Sequence, residues 1–221
     1  MNDQHETAAL LDGTYAAVTA VVGAASSADL RRPTRTEWTV RELLVHLLLD
    51  AQRCLVALST PATGFADTDR VSYWRDHRPG GEGAAAHAEW VRKVTAAYSQ
   101  DAALVAHWTT TSRAAVHAAR VAESDVVMTQ GHSMAVADLL DTLVVEAVVH
   151  YLDLTAHLTG PPVDPQAVGR VRSVLNGLLG GPMPEQWTDE ECVLKGTGRL
   201  PLSADDRESL GTWQDRFPLL G

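Results

Sequence analysis

The stretch from Leu139 to Leu158 constrains the fold of this chain more than any other part of its sequence. It is rich in apolar residues and is followed by Gly160-Pro161-Pro162, a strong signal for the end of a helix. Glu146 and His150 interrupt it, so it falls short of the roughly 18 uninterrupted apolar residues of a membrane span. The sequence therefore predicts a helix in a protein core, with two polar side chains on its buried faces.

Capping signals and the helical spacing of apolar residues predict three further long helices. Thr39-Val40-Arg41-Glu42 is a capping box, in which the threonine and glutamate side chains accept hydrogen bonds from free backbone N–H groups. One helix therefore begins near Val40 and ends before Pro61. Ser99-Gln100-Asp101 is a point at which the third helix could break. The four predicted helices cover about residues 6–25, 40–60, 84–123 and 135–159, and Ser133 is the expected cap of the last.

The segments between and after these helices give weaker signals. Residues 61–83 contain Pro79-Gly80-Gly81 and predict a surface loop with at most a short helix over about 70–76, and Gly131 predicts a turn. After Asp164-Pro165 the sequence predicts a short helix to about Leu179, a strand over 192–196 and a last helical turn over 205–210. The expected fold is all-α, an antiparallel four-helix bundle over residues 1–160 with a short α/β C-terminal extension over residues 161–221.

Charge and cysteine content exclude several classes of partner. The formal net charge is −10, so phosphate backbones and anionic lipid surfaces would repel the chain. Cys54 and Cys192 belong to no Cys-x-x-Cys pair and cannot form a disulfide framework in a chain of 221 residues, which favours a reducing compartment. The first residues are polar and acidic, unlike a signal peptide. We therefore expect a soluble cytoplasmic protein that binds neither nucleic acid nor membranes.

Polar residues on the buried helix faces are the strongest functional signal. Glu146 and His150 lie one helical turn apart on the same face, with Cβ atoms about 5–6 Å apart. Burial of an ionised carboxylate is costly unless a cation or a hydrogen bond compensates it. His46 lies likewise within a leucine-rich run, and two histidines with one carboxylate are a ligand set typical of catalytic zinc. A hydrogen-bonded core histidine and a surface Glu–His ion pair are the alternative interpretation.

Two segments of the chain resemble the signatures of a known family. Residues 37–47, Glu-Trp-Thr-Val-Arg-Glu-Leu-Leu-Val-His-Leu, resemble Gly-Trp-Thr-Val-Arg-Asp-Leu-Val-Ala-His-Leu. Residues 144–154, Val-Val-Glu-Ala-Val-Val-His-Tyr-Leu-Asp-Leu, resemble Val-Val-Glu-x-x-x-His-x-x-Asp-Leu. Both signatures belong to the mycothiol-dependent maleylpyruvate isomerase N-terminal domain, a member of the DinB-like superfamily. The resemblance covers about residues 5–160 and implies a DinB-like bundle in which His46, Glu146 and His150 bind a divalent metal ion, with zinc as the expected ion.

The resemblance also implies an enzymatic activity. It implies a metal- and mycothiol-dependent transferase or isomerase that acts on a small electrophile, with the thiol deprotonated beside the metal. The family's isomerase continues into a second α/β domain, whereas about 60 residues follow Gly160 here, so neither its substrate nor a catalytic residue is transferred to this chain. The alternative from another class is a metal-binding bundle without thiol chemistry, such as a stress-response binding protein or a secondary-metabolism cyclase. The sequence does not identify the substrate, the reaction, the thiol or the metal. It also leaves open whether the protein forms a homodimer.

Further polar residues near the three ligands have weaker predicted roles. Asp50 and Asp153 could accept hydrogen bonds from the ligand imidazoles, although a charge on the helix surface is the simpler interpretation of each. Asp50 or His132 could supply a fourth ligand that closes the site. Arg41 and Arg53 could bind a carboxylate, although a solvated helix face is their simpler interpretation. Trp38 is expected to pack in the core, and Cys54 is expected to be a buried, inert thiol. Gly196-Thr197-Gly198 is too short for a phosphate-binding loop. No role in the site is assigned to His107, His117 or His157.

Overall fold

The computed structural model describes residues 2–76 and 83–220 and confirms the all-α, DinB-like fold class. Pro79-Gly80-Gly81 of the predicted loop lies outside the described residues. The α-helices are α1 (Asn2–Ala24), α2 (Ser27–Leu30), α3 (Val40–Leu58), α4 (Ala84–Ala97), α5 (Asp101–Val121), α6 (Val136–Thr155), α7 (Pro165–Leu179), α8 (Asp189–Gly196) and α9 (Ala204–Leu210). Two strands, β1 (Val126–Thr129) and β2 (His132–Ala135), and two 3-10 turns, Ser72–Asp76 and Gly211–Arg216, complete these elements.

Helices α1, α3, α5 and α6 pack around one apolar core, with α4 against α3 and α7 against α6. Arg41 near the start of α3 lies 3.2 Å from Asp101 at the start of α5, so these two helices run in the same direction. This is possible because α4 leads the chain back along α3 before α5 begins. Arg53 in the second half of α3 reaches Thr142 in the first half of α6 at 3.5 Å, so α3 and α6 are antiparallel.

The capping box predicted at the start of α3 is confirmed. The Thr39 backbone N–H donates to Glu42 Oε2 at 2.7 Å, and the Glu42 N–H donates to Thr39 Oγ1 at 3.3 Å. Within residues 2–76 and 83–220, one segment, Asp3–Ala24 of α1, is long and apolar enough to span a membrane by length and composition, and it packs here against α5 and α6. The largest fully buried side chains include Leu11, Leu43, Leu44, Leu47, Leu48, Trp108, Leu139, Leu140 and Leu143.

The region between α3 and α6 differs from the sequence prediction at several points. The break predicted near Ser99-Gln100-Asp101 is confirmed, because α4 ends at Ala97 and α5 begins at Asp101. The predicted turn at Gly131 belongs to an antiparallel hairpin of β1 and β2 that the sequence analysis missed. Ser133 lies in β2 and bonds to the chain near Asp67, so its predicted role as the cap of α6 is wrong. Such short strands leave little periodic signal.

The extension after α6 is helical over its described part. The helix predicted after Asp164-Pro165 is confirmed as α7, which ends at Leu179, and Asp164 caps it by accepting from the backbone N–H of Gln166 at 2.8 Å. The predicted last turn of helix corresponds to α9. The strand predicted over 192–196 is wrong, because these residues belong to α8. A capping box of Thr188 and Glu191 starts α8, and the short apolar run after it cannot be assigned to strand or helix from periodicity alone.

Candidate metal centre

Three predicted ligands meet between α3 and α6. Glu146 Oε2 lies 3.2 Å from His46 Nε2 and 3.2 Å from His150 Nε2. One ligand atom from each of the three residues lies within 4.8 Å of the other two. The structure thus brings together His46, which is 100 residues from Glu146 in the sequence, with the pair that the helical spacing already placed side by side.

Local packing explains why these polar side chains point inward. The capping box determines where α3 begins, and the neighbouring Leu43 and Leu47 are fully buried, so His46 between them faces the same interior. Helix α6 is buried on most of its circumference, so Glu146 and His150 lie within the bundle rather than on an open helix surface. The side chains of His46, Glu146 and His150 are 13%, 20% and 8% exposed.

The donor set fits a divalent metal ion. A tetrahedral ion with ligands about 2.0–2.2 Å away needs neighbouring ligand atoms about 3.3–3.6 Å apart. The two distances of 3.2 Å to Glu146 Oε2 are close to that spacing. Two imidazole nitrogens and one carboxylate oxygen suit zinc and similar ions, and three protein ligands leave a coordination position for a water or a substrate.

The electrostatics of the site also favour a cation between these groups. Burial alone would raise the pKa of Glu146, but hydrogen bonds from His150 and His46 hold it well below its usual value. Burial would lower the pKa of His150, but hydrogen bonds with Asp153 and Glu146 raise it to about 9. Two carboxylates therefore stabilise a positive charge at His150, and a divalent ion could supply positive charge between the same atoms.

Each ligand imidazole has a partner on its outer nitrogen. His150 Nδ1 lies 3.0 Å from Asp153 Oδ2, and Asp153 is fully buried, in agreement with its predicted role as an acceptor. The outer partner of His46 is His87 in α4, whose Nε2 lies 3.2 Å from His46 Nδ1. Nothing in the sequence predicted His87 as a partner of His46, because the two residues have no spacing relation and His87 lies in an alanine-rich segment.

Asp50 lies near the His46 imidazole. Its Oδ2 is 3.6 Å from His46 Nε2, the nitrogen that faces Glu146, which is longer than a hydrogen bond. Among the described residues, Asp50 is not part of the group of close ligand atoms. His132 lies 3.4 Å from Asp67 in the hairpin region and likewise does not join the group.

Arg41 and Arg53, which were expected on solvated helix faces, are largely buried. Arg53 donates from Nε to Asp50 Oδ1 at 3.2 Å, and its guanidinium lies over the Tyr73 ring. Arg41 pairs with Asp101 of the same chain. Trp38 packs as predicted, with its ring centroid 4.9 Å from that of His46, so it also forms a wall of the site.

Two of the other singled-out side chains have contacts outside the group of ligand atoms. Cys54 is buried, as expected, and burial raises the pKa of its thiol to about 12, which disfavours the reactive thiolate. His107 is bonded to Tyr98 at 2.6 Å.

One comparison with known proteins gives a match. The family model described as mycothiol maleylpyruvate isomerase N-terminal domain matches residues 11–155. This span includes all three candidate ligands and the acceptor Asp153. No curated protein and no solved structure matches the chain.

Proposed function

Because the chain belongs to the mycothiol maleylpyruvate isomerase N-terminal domain family, we propose that it is a metal- and mycothiol-dependent enzyme that acts on a small electrophile as a transferase or an isomerase. The observation that supports this most directly is the meeting of His46, Glu146 and His150 in the bundle core, with their ligand atoms within 4.8 Å of one another. The family relation supports the thiol, and the donor set supports the metal.

Zinc is the ion that we propose for this site. His46 and His150 would each bind it through Nε2, because their Nδ1 atoms face His87 and Asp153. Glu146 would bind through Oε2, which faces both imidazoles. A divalent ion held there would lower the pKa of a thiol that reaches its open position and so supply a thiolate at neutral pH.

The chain's own residues would set the charge and shape of the site. One carboxylate ligand reduces the charge of a divalent ion to a net +1, which suits one thiolate as the additional ligand. Trp38 packs beside His46 and lies 6.2 Å, between ring centroids, from His150, so one part of the wall next to the ligands is aromatic. Such a wall limits the access of water to a reactive sulfur.

The proposed setting of the protein follows from its charge and cysteines. Both cysteines are free and buried, and the formal net charge is −10. We therefore propose a cytoplasmic location and small-molecule partners, without nucleic acid or a membrane. A measurement of molecular mass in solution would determine whether the protein is a homodimer.

Metal content of the untagged protein is the first test. We expect about one divalent ion per chain in the wild type, because three ligand atoms converge, and little in His46→Ala and Glu146→Ala. His107→Ala and Glu89→Ala are the matched controls and should retain the ion, because His107 bonds to Tyr98 and Glu89 to Lys93. A wild type that stays metal-free after incubation with zinc, nickel, manganese or iron would contradict the proposal.

Thiol chemistry needs a second measurement. The metal-loaded protein should accelerate either the consumption of mycothiol by a panel of electrophiles or the isomerisation of an activated double bond in its presence. Consumption indicates a transferase, whereas isomerisation with the thiol conserved indicates an isomerase. A protein that binds the ion but does neither would favour the alternative, a metal-binding bundle without thiol chemistry.

A further inference from the structure

The C-terminal extension reaches the candidate metal centre through one side chain, that of Arg199. Arg199 Nε lies 3.2 Å from Asp153 Oδ1, and Arg199 Nη2 lies 3.1 Å from Asp153 Oδ2. The same Oδ2 lies 3.0 Å from Nδ1 of the candidate ligand His150. Arg199 is only 10% exposed and Asp153 is fully buried, so water competes little with these contacts.

The turn before Arg199 holds its backbone in place. The backbone N–H of Arg199 donates to the Leu194 carbonyl at 2.7 Å, and its Nη1 donates to the Thr197 carbonyl at 3.0 Å. Gly198 has a φ of +73°, a conformation that side-chain-bearing residues rarely adopt. Gly196-Thr197-Gly198 is thus the turn that orients the Arg199 side chain toward Asp153.

The bidentate contact with Arg199 restricts the orientation of the Asp153 carboxylate more than the hydrogen bond with His150 alone could. A guanidinium that contacts both oxygens of a carboxylate fixes the plane of that group as well as its position. The plane of Asp153 in turn determines the direction of the hydrogen bond from His150 Nδ1, and with it the direction of the Nε2 lone pair.

We propose that Arg199 is a positioning residue of the metal centre: it fixes Asp153, which holds His150 with Nε2 toward the ion. The inference rests on the proposed metal site. It also gives a function to the extension, since Arg199 lies outside the matched residues 11–155. The competing explanation is that Arg199 only attaches the extension to the bundle.

The test compares the zinc affinity of variants by competition with a chelator and the visible spectrum of the Co²⁺-loaded proteins. In Arg199→Met we expect a loss of zinc affinity of about tenfold and a changed Co²⁺ spectrum, because removal of outer partners of metal ligands typically has effects of about 10–100-fold. Arg199→Lys should recover part of the loss, since a lysine keeps the charge but not the two-pronged geometry.

Lys195→Met is the matched control. Lys195 belongs to the same extension, is 9% exposed and pairs with Asp206 at 2.9 Å, and none of its recorded partners is Asp153. Its loss should destabilise the extension while zinc affinity stays within about twofold of the wild type. Asp153→Asn alters the other partner of the Arg199–Asp153 contact. The losses of zinc affinity in Asp153→Asn and Arg199→Met should therefore not add in the double variant, because both changes disrupt the same contact.

The outcomes separate this inference from the proposed function. If the wild type binds zinc and Arg199→Met binds it equally well, with the same Co²⁺ spectrum, Arg199 only attaches the extension and the inference fails alone. If the wild type binds no zinc, the proposed function fails and the inference with it. If Arg199→Met does not fold, Arg199→Lys decides by the same two measurements: weaker zinc binding with a changed Co²⁺ spectrum supports the inference, and wild-type values overturn it.

Discussion

At the scale of single residues, the candidate site differs from an ordinary buried ion pair in the number of partners that one atom has. Glu146 Oε2 faces two imidazole nitrogens at 3.2 Å each, from two different helices. The other ring nitrogens also have partners: Asp153 contacts Nδ1 of His150, and His87 contacts Nδ1 of His46. This arrangement orients both imidazoles toward one point, as a metal site requires.

His87 should influence metal binding although it is not a candidate ligand. Burial and the neighbouring His46 lower the pKa of His87, so it is neutral and can accept a hydrogen bond from His46 Nδ1. We expect His87→Ala to weaken zinc binding about tenfold and His87→Gln, which keeps an acceptor, to weaken it less. Chelator competition measures this, with His107→Ala as the control; equal affinities for wild type and His87→Ala would contradict it.

At the scale of secondary-structure elements, short-range hydrogen bonds determine where several helices begin, including α3 but not α6. The Thr39–Glu42 capping box starts α3, the helix of His46. Two pairs of side chains at helix starts in the extension, Thr188–Glu191 and Ser203–Asp206, do the same for α8 and α9. These pairs span three residues each, which is why sequence alone can indicate them.

Loss of the cap of α3 should cost stability. Thr39→Ala removes the acceptor for the Glu42 N–H and should lower the free energy of unfolding by about 1 kcal/mol. The measurement is urea unfolding followed by circular dichroism. Thr110→Ala, on the exposed side of α5, is the matched control and should change little; equal losses in both variants would show that the cap contributes nothing specific.

The pairing of α8 with α9 should depend on acidity. Burial would raise the pKa of Asp206, but hydrogen bonds from Ser203, Lys195 and Trp187 lower it to about 2. A carboxylate with a lowered folded-state pKa stabilises the fold above its ordinary pKa of 3.8, and this contribution disappears as the pH falls toward 2. We expect a loss of about 1 kcal/mol over that interval after allowance for solvent screening.

Unfolding in urea at pH 5 and at pH 2.5 measures this contribution. Asp206→Asn lacks the titrating group, so its stability should fall less than that of the wild type between the two pH values. An identical fall in both proteins would assign the acid sensitivity to other carboxylates.

At the scale of the whole molecule, the bundle and the extension meet beside the candidate site. The predicted boundary at residue 160 stays a prediction, but contacts cross it: Arg170 of α7 lies 3.4 Å from Asp141 of α6, and Arg199 binds Asp153. A metal ion would add a further connection, between α3 and α6.

That connection predicts stabilisation by the metal. A ligand that binds only the folded state at about 100 times its Kd adds about 2.7 kcal/mol to the free energy of unfolding. We therefore expect zinc to raise the melting temperature of the wild type and a chelator to reverse the effect, whereas Glu146→Ala should respond to neither. A melting temperature that zinc shifts equally in both proteins would place the bound ion elsewhere.

Features that depend on near neighbours along the chain could be predicted from the sequence. The cap of α3 and the one-turn spacing of Glu146 and His150 follow from residues three or four apart, and the start of α7 follows from Asp164-Pro165. His46 was already a candidate from its place in a leucine-rich run, and the resemblance strengthened its assignment to the same site, because a family signature records which distant residues act together. The strand assigned to 192–196 failed because a short apolar run has too few residues to show a period.

Only the tertiary structure decided which side chains complete the site. His87 meets His46 across 41 residues, and Arg199 meets Asp153 across 46. These contacts depend on the path of α4 along α3 and on the attachment of the extension to the bundle, and no periodicity in the sequence encodes either. Local hydrogen bonds are set by adjacent residues, whereas the partners of a buried charge are set by the packing of whole helices.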